Sequence, residues 1–94
     1  MFTDGNSLLG FCQIDLKSPP ESVDDIAKGM YLKGYLAGFC GAQPQLNIPP
    51  GVTFDQIVRV ILKWLQNHPE RLHEDARVLI YCSLVDAFPA KEQR

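Results

Sequence analysis

The sequence predicts an all-α fold, a small bundle of four to five helices in one domain spanning residues 1–94, expected to pair into a dimer. Three observations carry this expectation. Apolar residues recur three and four apart in four segments, no segment alternates as a half-buried strand would, and capping residues stand where those segments begin. The 94 residues are 46% apolar and 21% charged, the balance of a folded globular chain. At this length one core is feasible but thin, so a second copy or a stable partner would support it.

The first helix is expected near Asn6 to Ile14, with Asp4 or Asn6 as N-cap and Leu8, Leu9, Phe11 and Cys12 as its apolar contacts. Ser18-Pro19-Pro20 ends it. The second begins at Ser22, whose hydroxyl caps while Asp24 and Asp25 sit in the positive first turn, and runs to about Cys40. Gly29, Gly34 and Gly38 each lower its helix propensity, by about 1 kcal/mol relative to Ala. Gly34 and Gly38 share a face, which invites close approach of another helix or an aromatic ring. "GAQPQLNIPPGV" (41–52) is a long connection. Thr53 and Gln56 then form a capping box that opens the third helix. Seven apolar residues of that helix, among them Ile57, Val60, Ile61 and Trp64, cover an arc of roughly 200°, so it is expected to be covered on two sides. Pro69 stops it. The fourth helix, from about Glu74 to Phe88, is apolar nearly all round, with Val78, Tyr81, Cys82, Val85 and Phe88 on one of its two apolar sides. Two such helices in so small a chain imply a central helix, a dimer interface, or both.

Composition excludes several functions. The net charge is −2 and the basic residues are scattered, so no field exists to hold a nucleic acid. The longest uncharged stretch, residues 34–54, contains four glycines and three prolines and reads as a helix end and a polar loop, with no membrane span. The opening Met1-Phe2-Thr3-Asp4-Gly5 has no basic segment followed by an apolar run and does not read as a signal peptide.

The densest chemistry lies in "QNHPERLHEDA" (66–76), two histidines and three carboxylates in eleven positions. His68 and His73 are five apart, about 140° around a helix, whereas two ligands on one face need a spacing of three or four. Pro69 between them favours a break. The stretch reads as a corner, with His68 closing the third helix and His73 capping the fourth, and no metal site is expected. Cys12, Cys40 and Cys82 lie far apart with no zinc spacing, consistent with one disulfide plus a free thiol or with three buried thiols. A Cys–His enzyme would need a thiolate-favouring environment that these apolar helices do not offer. With no Gly-rich phosphate loop and no nucleophile elbow, no catalytic residue and no cofactor is expected.

Read with its flanks, the corner carries a resemblance. "DGNSLLGFC" (4–12), "GYLAG" (34–38) and "PPGVTFDQIVRVILKWLQNHPERLHEDARVLIYCSLVDAFP" (49–89) together resemble the resistance-associated family of type VI amidase immunity proteins, the Rap/Tai family. The pattern is a G-Y-x-x-G helix, a proline-containing loop, "GVT" opening a helix, an aromatic-Leu-x-x-His-Pro-Glu corner and a terminal Ala-Phe-Pro. The resemblance implies a small helical protein, exported to the periplasm and working as a homodimer. It would neutralise a peptidoglycan amidase delivered by type VI secretion by plugging the cleft that holds the amidase's Cys–His pair. Family members commonly carry cysteines where this chain has Leu32, Asn47 and Ala90. Cys12 keeps its family position without its usual partner, which leaves Cys40 as an alternative partner. Fewer bridges weaken the case for an oxidising compartment.

Under this reading the partner-binding residues are Gln43, Gln45, Leu46, Asn47 and Ile48 of the loop and the basic pair Arg59 and Lys63 of the third helix. Such a pair suits steering toward acidic groups on a partner. Tyr31, Tyr35, Trp64, Val78, Tyr81 and Val85 are expected in the core or a dimer contact. Two rival readings are a helical dimeric adaptor for some other protein and a thiol-dependent enzyme.

Overall fold

The computed structural model describes residues 3–17, 19–43 and 46–89. It contains helices α1 (Gly5–Asp15), α2 (Val23–Gly41), α3 (Phe54–Asn67) and α4 (Ala76–Ala87), with a one-turn 3-10 helix, Pro69–Arg71, between the last two. No strand occurs among the described residues. The bundle is all-α, and each helix starts on a side-chain cap. Asp4 and Ser7 form a reciprocal capping box on α1, and Ser22 accepts from the Asp25 N–H at 3.1 Å on α2. On α3, Gln56 accepts from the Thr53 N–H at 2.7 Å while Thr53 Oγ1 accepts from the Gln56 N–H at 3.2 Å. These side chains satisfy N–H groups that have no partner inside a helix.

The fourth cap corrects the sequence reading. α4 begins at Ala76, and Asp75, not His73, caps it by accepting from the Arg77 N–H at 2.8 Å. A carboxylate suits that place better, because it meets both the open N–H groups and the positive helix end. His73 is exposed.

α1 is the packing centre, touching all three other helices, while α3 packs on both α1 and α4. Leu8 and Cys12 of α1, Leu32 and Leu36 of α2, Ile61 and Leu65 of α3, and Leu79, Ile80 and Leu84 of α4 meet in a core from which water is fully excluded. α3 is thus covered on two sides. α4 buries one side and leaves the other at the surface, with Val78 47% exposed. α2 packs chiefly on α1, and its outer face leaves Val23 81% and Met30 70% exposed. The close approach expected at Gly34 and Gly38 is not made among the described residues, since a Cβ at either would meet none of them within 4 Å.

The corner has a role that its composition did not reveal. It grips the start of α1. The Gly5 N–H donates to Glu74 O at 3.1 Å, the Asn6 N–H to Leu72 O at 3.0 Å, and the Ala76 N–H to Thr3 O at 3.0 Å, around an antiparallel bridge between Asp4 and Asp75. Gly5 is required by this clasp, because a Cβ there would stand 2.6 Å from Leu79 Cδ1 and 2.8 Å from the Leu72 backbone. In the α2–α3 connection, Gly51 takes a positive φ of 93° and the Val52 N–H donates to Pro49 O, a turn with Pro and Gly at its centre.

Candidate partner-binding surface

Four side chains of the corner, Trp64, His68, Arg71 and Glu74, are engaged with one another, with α4 or with the backbone. The His68 ring stacks on Trp64 with centroids 4.0 Å apart, and its Nδ1 lies 2.7 Å from Trp64 O. Trp64 Nε1 donates to Asp86 Oδ2 at 2.7 Å, tying α3 to α4. The Arg71 guanidinium lies 5.2 Å from the Trp64 ring and grips Glu74 through two hydrogen bonds of 2.9 and 3.0 Å. Those bonds hold the Glu74 carboxyl below its ordinary range. His68 closes α3 as its C-cap. His68 and His73 share no site, and among the described residues no group of three or more His, Cys, Asp or Glu side chains is placed to hold a metal.

All three cysteines are free thiols, so the alternative bridge between Cys12 and Cys40 is not formed. The reason is axial distance. Phe11, beside Cys12, meets Tyr31 with ring centroids 5.9 Å apart, and Cys40 lies nine residues further along α2. At 1.5 Å per residue that is roughly 13 Å, beyond the Cα separation of about 7 Å that a disulfide can span. Burial, with Asp15 adding to it, pushes the Cys12 thiol up to about 12. Burial also raises Cys40. Neither is a ready nucleophile. Cys82 Sγ accepts from Arg71 Nη2 at 3.7 Å.

The residues expected at a partner interface divide by exposure. Arg59 and Lys63 are exposed on α3, and Asn47 is exposed in the connection, donating from Nδ2 to Pro89 O at 3.4 Å. Leu46 and Ile48 are half-buried and pack against the core, so they anchor the connection. Gln43 is half-buried and lines an open cavity of about 400 Å³ with Phe39, Asp75, Arg77, Val78 and Tyr81. Gln45 lies outside the described residues. Lys63 borders a shallow cavity of about 260 Å³ between α3 and α4, walled by Val60, Trp64, Asn67, Ser83, Asp86 and Ala87.

Of the residues expected in the core or a dimer contact, Trp64 is buried. Tyr31 and Tyr35 are half-buried, and with Phe39 they form a ladder along α2 with centroids 6.3 Å apart at each step. Tyr81 and Val85 are half-buried, and Val78 is exposed. The sequence reading missed Asp15, a carboxylate placed at the α1–α2 contact. Its signal was legible: Leu8, Phe11, Cys12 and Asp15 fall at i, i+3, i+4 and i+7, on the stripe that faces inward.

Four capped helices around one thin core make a small helical bundle, with Trp64, His68, Arg71 and Glu74 held together at its corner. The chain belongs to the family of Rap1a immunity proteins, whose family model matches residues 4–90. No curated protein and no solved structure matches it. No helix among the described residues is long and apolar enough to cross a membrane.

Proposed function

We propose that this immunity protein binds a peptidoglycan amidase delivered by a type VI secretion system and covers the cleft holding that enzyme's catalytic pair. It would act in the periplasm, as a homodimer, and protect the bacterium that produces it. The observation that carries this reading is the family match over residues 4–90, nearly the whole chain. The surface supports it: an exposed basic pair on α3, an exposed turn at Asn47 to Gly51, and an outer α4 face carrying Val78, Tyr81 and Val85. The basic pair steers and orients the encounter with an acidic rim, and the turn enters the cleft. Val78, Tyr81 and Val85 supply the contact between copies.

Co-purification with a candidate amidase, followed by a peptidoglycan cleavage assay, tests the proposal. A stable complex with hydrolysis abolished is expected. Replacing Arg59 and Lys63 by Glu should slow association at low salt by about tenfold or more while leaving the fold intact. A tight complex that hydrolyses at full rate would overturn occlusion.

A further inference from the structure

Two cations stand apart from the rest of the chain's charge. Among the described residues Lys17, Lys28, Lys33, Arg71 and Arg77 each pair with a carboxylate. Arg59 and Lys63 do not. Both are exposed, four apart on one face of α3, and Lys63 lines the cavity of about 260 Å³ on the α3–α4 seam. The floor of that cavity is apolar. Val60 and Trp64 supply it from α3 and Ala87 from α4, while Ser83 turns its hydroxyl back to the Ile80 carbonyl at 2.8 Å. The Trp64 indole is fixed, since its Nε1 donates to Asp86 Oδ2 at 2.7 Å and the His68 ring stacks on it. A held aromatic wall is a preorganised anchor point, because covering it costs little side-chain freedom.

The charges around the cavity select what fills it. Lys63 stands on the α3 side with Arg59 one turn away, and Asp86 stands on the α4 side. Asp86 accepts from Trp64 and pairs with neither cation, so the seam is positive along one edge and negative along the other. An apolar group that carries a carboxylate would set the acid toward Lys63 and away from Asp86. The cavity is shallow, so a free small molecule would keep much of its surface in water. A side chain presented by a protein is roofed by the protein that carries it. A second copy has no such element among the described residues. Its large exposed apolar residues next to a carboxylate are Val23, Ile26 and Phe54. The neighbouring Asp24, Asp25 and Asp55 already pair with Lys28, Lys17 and Lys33.

We propose that this cavity receives one large apolar side chain of the amidase, flanked there by a carboxylate that pairs with Lys63. The inference rests on the reading that the chain binds that enzyme, and it adds an anchor apart from the turn at Asn47 to Gly51.

Trp64 is the only tryptophan of the chain, so its indole N–H gives a single NMR resonance on the cavity wall. The labelled full chain is titrated with hydrocinnamate, a phenyl group and a carboxylate on a short stem, at fixed ionic strength. A saturable shift of that resonance is expected, with the neutral hydrocinnamamide severalfold weaker. Lys63→Gln should weaken the acid about threefold and leave the amide unchanged. Asp86→Asn keeps an acceptor for the indole and should tighten the acid about twofold. No saturation, equal binding of acid and amide, or an acid affinity that Lys63→Gln leaves unchanged would overturn the proposal. With the amidase itself, Ala87→Phe fills the cavity and should weaken the complex by about tenfold or more. An Ala87→Phe protein that binds as tightly as wild type overturns the anchor and leaves the proposed function standing. Wild type that does not bind the amidase overturns both. A dimer that Ala87→Phe turns to monomer in sedimentation assigns the cavity to a second copy and overturns the anchor as well.

Discussion

Asp15 occupies a place on the buried stripe of α1 where an apolar residue would pack without strain. Burial raises its carboxyl above the ordinary range, Lys33 opposes that shift, and Asp55 reinforces it. Cys12 on α1, Lys33 on α2 and Asp55 on α3 are the groups that couple to it. A folded-state value above the unfolded one means that folding favours the protonated form. The Asp15 contribution to stability should therefore be highest below the unfolded value, fall as pH rises through the window between the two, and level off above the folded one. Asp15→Asn should flatten that dependence and raise stability at neutral pH, which urea melts across the acid range would read. A second residue-scale prediction concerns the clasp. Gly5→Ala forces a methyl into Leu79 and the Leu72 backbone, and should destabilise by about 1–3 kcal/mol in urea unfolding.

At the scale of the element, the helix starts were legible because capping is local chemistry. Ser22 and Thr53 are legible as caps, and Asp4 as one of two candidates beside Asn6, since an N-cap acts on N–H groups two or three residues away. Thr53→Ala should cost about 1 kcal/mol, measured by thermal or urea unfolding. α4 was misread by two residues and one cap, because His73, Glu74 and Asp75 all suit a helix start and only the chain path decides among them. The glycines of α2 show the limit of pattern reading. All three weaken the helix, yet only Gly29 is approached closely. Gly34→Ala and Gly38→Ala should each stabilise the protomer by up to about 1 kcal/mol. If a second copy packs there, the same changes would lower the dimer's affinity in sedimentation.

Over the described residues, large exposed apolar side chains lie on three helices, α2 with Val23, Ile26 and Met30, α3 with Phe54 at its first turn, and α4 with Val78. A thin core leaves little margin, so covering such faces adds usefully to stability. If the α4 face is the contact between copies, Val78→Glu should leave the protomer's unfolding within about 0.5 kcal/mol of wild type, since the side chain is half exposed. It should also shift the sedimentation profile to monomer. An unchanged dimer would move the contact to α2.

The sequence by itself determined what depends on neighbours a few residues apart: four helices, the caps of the second and third, the break at Pro69, the five-residue spacing of the corner's histidines, and the family. Periodicity and capping are short-range, and the family's motifs are read along the chain. Tertiary structure decided what depends on residues far apart. It put α1 at the centre, clasped Thr3 to Asn6 onto residues 72–76, kept Cys12 and Cys40 too far apart to bond, and set Asp15 against Gly29. Which residues meet between different helices follows from how the helices pack, and no local pattern encodes that.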